Sequence, residues 1–312
     1  MTGGQSDWSG IVHGCFSDVE MVRRRLDAGA DPLGELWGFE TPLHRAAQDG
    51  SPEVVFELAS RARDVDALLR GRSALWNAVY HDRDDNARVL LDLGADPWRP
   101  MMDGWSPGRL GAAGVLGGLF EVPAGQGPTV GERESVAAGL ELAEVFSGVV
   151  HDGYSMTCVA GLSAVEAVSR LPVGEVIVVD DDVPAFDLDF CGDRDIVGVT
   201  GVSGGSVIAQ PWSYLARDFG VMEALTPGTF AYGMYANPKS GDQGVIAEDG
   251  RVVKGGLHPG YDPDEGATAP EVLASYASGG SAIVHCLVYA ELFPDSRDCL
   301  EHPDAWIRLT SP

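Results

Sequence analysis

The sequence predicts a short helical solenoid followed by a mixed, mostly antiparallel sheet packed with helices: an α part, then an α+β part. Three observations carry this expectation. "TPLHRAAQDG" from residue 41, "SALWNAVYHD" from 73 and "SPGRLGAAGV" from 106 fall into register 32 and 33 residues apart. "LDAGADP" (26–32) and "LDLGADP" (91–97) lie 65 residues apart, close to twice that period. Beyond residue 135 the pattern changes to helix, strand and helix, then a meander of short strands closed by an apolar helix. That order fits an antiparallel sheet better than a doubly wound nucleotide fold.

Each element of the repeat has a local reason. Thr41 and Pro42 open a helix, because a threonine oxygen accepts from unpaired amides and proline is pre-set for the first helical position. Leu43, Ala46 and Ala47 then form an apolar stripe small enough for close helix packing. "PEVVFELA" (52–59) and "NARVLLDL" (86–93) supply the second helices. Gly29 and Gly94 follow as left-handed helix stops. Asp103-Gly104 suits a tight hairpin turn. "SDVEMVRRRLDAGADP" (17–32) reads as half of a first repeat whose residues 8–16 form a degraded cap, and "LGAAGVLGGLF" (110–120) as a final helix broken up by glycine.

A period of this length, in units of a turn and two helices, resembles the ankyrin repeat family, and the resemblance spans roughly residues 8–120. It implies a protein partner bound by the finger tips and the ends of the first helices. Those positions are Trp37, Phe39, Arg72, Met101, Met102 and Trp105 on the fingers, with Tyr80 and His81 on the groove. Exposed aromatic side chains and a methionine pair would make a surface of the kind that anchors partners.

Glycine-rich "AGQGPTVGERES" (124–135) marks a boundary, so the expected organisation is 8–120 repeats, 121–134 linker and 135–312 α+β domain. "VAAGLELAEVFSGVV" (136–150) has helical spacing, and "YSMTCVAGL" (154–162) reads as a strand. "SAVEAVSRL" (163–171) is a short helix with Ser163 and Glu166 as a capping box. "EVIVVDDD" (175–182) reads as a strand ending in acid, and "DIVGVTGVSGGSVIAQPW" (195–212) as two strands turning at Ser203–Gly205. "TFAYGMYANP" (229–238) continues the meander. "QGVIAEDGRVVKGGL" (243–257) is a hairpin turning at Glu248–Arg251, and "YASGGSAIVHCLVYAELF" (276–293) closes with an apolar helix. "YSMTCVAGLSAVEAVSRL" together with "EALTPGTFAYGMYANPKSGDQGVIAEDGRVVKGGLHPGYDPDEG" resembles an uncharacterised α+β domain family common in actinobacteria, over roughly 150–295. That resemblance implies a fold and assigns no activity.

Charge excludes whole classes of partner. With 47 acidic and 21 basic side chains, net −26, the chain repels phosphate backbones and anionic lipid, so neither nucleic acid nor membrane is an expected partner. No apolar run is long enough to span a bilayer, and "MTGGQSDWSG" does not read as a secretory signal, so the expected location is the cytoplasm. Five scattered cysteines without CxxC spacing point to buried thiols in a reducing compartment, with no metal site and no cofactor.

Candidate chemistry is sparse. Asp180, Asp181 and Asp182, with Asp187, Asp189, Asp193 and Asp195 behind them, lack the spacing of a calcium loop. "GVSGGS" (201–206) lacks the lysine of a phosphate loop and the GxSxG of a nucleophile elbow. His285 and Cys286 are about 100° apart on one helix and cannot form a dyad. The richest loop is "HPGYDPDEG" (258–266). His258, Asp262 and Tyr235 are the candidate catalytic groups, and Trp212, Tyr232, Asn237, Lys254 and Tyr261 the candidate lining of a small-molecule pocket. The leading expectation is an interaction protein whose α+β domain acts as sensor, effector or scaffold. The alternatives are a cofactor-independent enzyme of secondary metabolism, performing cyclisation or hydrolysis, and a resistance or immunity protein that sequesters a cationic toxin or drug.

Overall fold

The computed structural model describes residues 7–11, 15–149, 152–178, 185 and 194–310. Two compact units divide the chain, each a set of helices or a sheet with its own core. The first contains Met1–Arg133 and Pro263–Val272, and the second Glu134–Asp262 and Leu273–Pro312. The return of residues 263–272 to the first unit is absent from the sequence-based division at 135.

In the first unit, helices α1 (Val19–Asp27), α2 (Pro42–Asp49), α3 (Pro52–Ala59), α4 (Ala74–Tyr80), α5 (Asp84–Asp92) and α6 (Pro107–Ala113) form a stack in which α2 pairs with α3 and α4 with α5, α1 packs on α3 and α6 on α4. The start of each first helix repeats the same chemistry. Thr41, Ser73 and Ser106 each accept from the backbone amide three residues on, at His44, Trp76 and Arg109. Between the pairs come three hairpin fingers, closed at Leu36–Glu40, Leu69–Arg72 and Met101–Trp105. Every tip holds two consecutive residues at positive φ: Trp37-Gly38, Arg70-Gly71 and Asp103-Gly104. Two left-handed residues in a row are what a type I′ turn needs, which explains the glycine at each second position. The glycine-rich stretch after 110 stays helical as far as Ala113 and then breaks at Gly114.

The repeats are joined through buried polar side chains as well as alanine contacts. Asn86 Nδ2 lies 3.2, 3.1 and 3.1 Å from the carbonyl oxygens of Ala46, Ala47 and Gly50, satisfying the exposed end of α2 from the neighbouring repeat. Replacing Asn86 by alanine takes its donor from the Ala47 carbonyl, while Ala46 still accepts from Gly50 N–H and Gly50 from Arg83, so a loss of about 1–2 kcal/mol is expected in chemical denaturation. A loss below about 0.5 kcal/mol, the usual size of a surface change, would show that water replaces the amide at no cost.

The second unit is built on helix α7 (Val130–Val145), which begins in the first unit's last residues, and on an eight-stranded sheet. The helix starts six residues earlier than its apolar spacing predicts. Glu132 N–H donates to Thr129 Oγ1 while Thr129 N–H donates to the Glu132 carboxylate, a capping box inside the expected linker. The strands are β1 (Ser155–Ala160), β2 (Val173–Ile177), β3 (Ile196–Val202), β4 (Gly205–Gln210), β5 (Phe230–Asn237), β6 (Gly241–Glu248), β7 (Arg251–Leu257) and β8 (Ala305–Leu309). They are ordered β2-β8-β3-β4-β1-β5-β6-β7, and every pairing is antiparallel. Strand β8, unseen in the sequence pattern, enters between β2 and β3.

Helices α8 (Ala164–Arg170) and α9 (Phe219–Leu225) pack on this sheet, as do α11 (Ala282–Tyr289) and the single turn α12 (Asp298–Glu301); α10 (Ala269–Ala277) precedes α11. Alternation along β5 shows that the two helix sets cover opposite faces. Tyr232 meets His285 and Tyr289 of α11, whereas a side chain at Gly233 would run into Met222 of α9. The α9 side holds an apolar core in which Val159, Val197, Val199, Ile208, Met222 and Ile307 are fully buried. Covering both faces explains why β1 is buried along its length, with no polar-out alternation.

Candidate partner surface and an acid-lined groove

The fingers do not present the surface that their sequence suggests. Trp105 is 1% exposed and Met102 4%, so both leave the set of partner-facing residues. The Trp105 indole N–H donates to the Ala269 carbonyl at 3.3 Å, Arg109 stacks 4.6 Å over its ring, and Asp103 accepts from the Ala269 amide at 2.7 Å. Segment 263–272 therefore occupies the third finger within the unit. It also reaches the second, where Glu265 Cγ lies 3.6 Å from where a Gly71 side chain would begin. Met101 and Arg72 are half-buried, and the Arg72 carbonyl accepts from His44.

The first finger differs. Phe39 is 52% exposed beside the half-buried Trp37, whose ring lies 6.5 Å away and under Arg45. Arg45 also pairs with Asp49 one turn on. Burial of Glu40 behind this tip pushes its carboxyl above the ordinary range, against the pull of nearby arginines. At the far end of α4, Tyr80 and His81 are half-buried and in edge contact, with ring centroids 5.2 Å apart.

Of the residues proposed to line a pocket in the second unit, Tyr232 is corrected. It is 1% exposed and packed into the core, because its place in the β5 alternation points it at α11. His258 and Tyr261 gather at the Asn237–Gly241 turn of the β5–β6 hairpin. The His258 Nδ1–H donates to the Asp242 carbonyl at 3.1 Å, the two rings are 6.0 Å apart, and the Tyr261 hydroxyl lies against Gly241. Both are exposed, as are Trp212 and Lys254, while Tyr235, Asn237 and Asp262 are half-buried. The Tyr235 ring meets Tyr214, 6.3 Å away, and Asn237 accepts from the Lys239 amide. The cluster is an open surface.

A groove of about 750 Å³ lies elsewhere in the second unit, around the β3–β4 turn. The glycine-rich loop at 201–206 is a hairpin turn, as its flanking strands require, and its residues 201–205 line the groove. Its backbone is clamped on both sides. Gly161 N–H donates to the Gly204 carbonyl at 2.7 Å, and Phe293 N–H to the Ser203 carbonyl at 3.0 Å. Gly204 has φ +94°, and a Cβ there would sit 2.2 Å from the Glu291 carbonyl oxygen, so no other residue fits.

Asp295, Asp298 and Asp304 line the groove and are exposed, and among the described residues no lysine, arginine or histidine lines it. Thr200 also lines it; the residue is 7% exposed and its Oγ1 has no hydrogen-bond partner. Ser155 and Ser206 carry similar lone hydroxyls but do not line the groove. Cys299 at its edge is buried, which pushes the thiol up to about 12 and removes it as a nucleophile. Burial likewise raises Cys158 and Cys286 far above the ordinary thiol range.

Of the acidic run, Asp180, Asp181, Asp182, Asp187, Asp189 and Asp193 lie outside the described residues, and Asp195 is exposed. Among the described residues no cluster of three or more metal-ligating side chains occurs. No described helix is long and apolar enough to cross a membrane.

Two comparisons agree with the repeat geometry. A family model described as ankyrin repeats matches residues 13–101 in three copies. The transient receptor potential channel pyrexia of Drosophila melanogaster is 32% identical over 91 residues, 28% of this chain; the match spans 9% of the channel's length. With the helix pairs α2–α3 and α4–α5, each opened by a hydroxyl cap, and left-handed finger turns at Trp37-Gly38 and Arg70-Gly71, residues 13–101 are ankyrin repeats.

Proposed function

We propose that the protein is a cytoplasmic interaction protein whose ankyrin repeats dock a protein partner at the first finger, while the β-sheet unit serves as sensor, effector or scaffold. One observation carries the placement. Phe39 is more than half exposed at the tip of the first finger, next to Trp37 and Arg45, whereas segment 263–272 lies against the second finger and covers the third. A phenylalanine tip beside an arginine offers two residue types that are enriched at protein interfaces. Three buried free thiols, Cys158, Cys286 and Cys299, support a reducing location.

The expected result is that immobilised wild-type protein retains a partner from host lysate which Phe39→Ala loses at least about tenfold, since a central aromatic anchor is worth 2 kcal/mol or more. Phe56→Ala is the control, because Phe56 is equally exposed, at 50%, but lies on a second helix. Equal capture by all three proteins would remove the first finger as the docking site. A second reading, a small-molecule binder, is favoured by the groove around the β3–β4 turn.

A further inference from the structure

We propose, on the reading that the first finger docks a protein partner, that the docked segment is acidic and runs on to the second finger, where it meets Arg70. The three finger tips form a series. Trp37, Arg70 and Asp103 occupy the same turn position at 33-residue spacing, each with positive φ. Two of the three hold the backbone of a segment from outside the fingers. The Trp37 indole N–H donates to the Ile11 carbonyl at 2.8 Å, and Asp103 accepts from the Ala269 amide at 2.7 Å. Arg70 is exposed and makes no hydrogen bond or ion pair among the described residues. The series leaves a place for a third incoming segment at Arg70. A guanidinium there calls for a carboxylate, which it can hold through two parallel hydrogen bonds.

Charge around the first two tips agrees. Glu40, next to Phe39, is half-buried and lies in the field of Arg72, Arg45 and Arg70. The other acids here are Asp49, which is paired with Arg45, and Glu35, exposed at the first tip. Three guanidinium groups thus balance three carboxyls, so an acidic segment meets no local excess of like charge in a chain of net −26. The chain itself already brings acid to this place. Segment 263–272 carries Asp264 and Glu265, both exposed, and lays Glu265 against the second tip, its Cβ 3.9 Å from where a Gly71 side chain would begin. Neither carboxylate makes a hydrogen bond or ion pair among the described residues, so no side-chain bond fixes this loop. The segment is held further on, by Ala269 at the third finger. A partner's carboxylate reaches Arg70 by moving residues 264–266 aside, and Trp105 stays covered.

Random dodecapeptides displayed on phage test this, selected against the immobilised full-length protein at about 0.15 M salt. The enriched peptide is then titrated by fluorescence anisotropy. The expected result is a sequence of net negative charge that includes an apolar residue. The protein's net charge by itself enriches basic peptides, so an acidic sequence has to come from a local site. Arg70→Glu and Phe39→Ala should each weaken binding at least about tenfold, as loss of an interface charge or an aromatic anchor does. Arg24→Glu, the same charge change at an exposed position of α1, should leave it within about twofold. Gly71→Cys/Glu265→Cys supplies a lock, because 3.9 Å between the two Cβ positions is within the span of a disulfide. The oxidised variant should bind the peptide at least about tenfold more weakly than the same variant reduced. Both forms carry a cysteine at φ +75°, so its strain cancels. A basic or uncharged sequence, or no enriched peptide, would overturn the proposal, as would equal binding by the oxidised and reduced forms. Binding lost in Phe39→Ala but kept in Arg70→Glu would leave the first-finger docking site standing and remove its acidic occupant. Binding lost in Arg70→Glu but kept in Phe39→Ala would remove the docking site itself, and this proposal with it.

Discussion

Trp105→Ala is expected to destabilise the ankyrin unit by about 3–5 kcal/mol, the range for removing a large aromatic side chain from a core. The side chain is 1% exposed, its indole N–H is bound to the Ala269 carbonyl and its ring lies under Arg109. Alanine would leave a cavity, a carbonyl with one hydrogen bond fewer and an arginine without its aromatic partner. The comparator is Phe39→Ala, at the aromatic tip of the first finger, which should stay within about 0.5 kcal/mol of wild type because its ring is largely in water. Chemical denaturation of both variants decides it. Near-equal stabilities would show that Trp105 is not a structural residue. Trp105→Phe, which keeps the ring and loses the N–H, should fall between the two.

Acidification is expected to weaken the repeats through His44. Burial holds its imidazole at about 4 in the folded protein, well below the ordinary value of 6.5. The neutral ring is hydrogen-bonded at both nitrogens: Nε2–H donates to the Arg72 carbonyl at 3.1 Å, and Nδ1 lies 2.7 Å from the Thr41 hydroxyl, which serves as its donor. That hydroxyl can turn to accept from a protonated Nδ1, so what opposes protonation is burial of the charge, helped by the nearby Arg72. The unfolded chain binds a proton near pH 6.5 and the folded one near pH 4, so between those values unfolding takes up a proton. Stability is complete above pH 6.5 and falls as pH drops towards 4, by about 3 kcal/mol at most. Melting curves from pH 7.5 to 4.5 measure the slope. His44→Gln should be less stable at neutral pH but should flatten the loss between pH 6.5 and 4.5. An unchanged slope would assign the acid sensitivity to other groups.

The repeat was legible because its causes are local. A hydroxyl capping the amide three residues on, a glycine at each turn and alanines on the packed stripe recur at one period. The capping box of α8 and the Glu248–Arg251 hairpin turn are legible for the same reason. What could not be read depends on partners distant in sequence. Trp105 looks like a finger residue from its own neighbourhood, and the segment that buries it lies 164 positions later. Strand β8 is short, and its place between β2 and β3 is set by pairing partners over a hundred residues upstream. Tyr232 shows a third cause. Its role turns on which face of β5 meets α11, and a strand buried on both faces has no polar alternation to reveal that. The groove falls in the same class, since Thr200, Asp298 and Asp304 come together only when β3, α12 and the loop before β8 are placed.

The burial of Trp105 by Ala269 has a consequence for how this protein can be divided. An array followed by a second domain looks like two exchangeable cassettes with a seam near residue 130. The first unit instead takes one of its parts from beyond residue 262, so its coding sequence is discontinuous. A cut at the apparent seam would yield a repeat fragment with a bare tryptophan at its end, and a second fragment carrying ten residues that belong elsewhere. Shuffling of the repeats, by recombination or by a cloning strategy, has to move both stretches together.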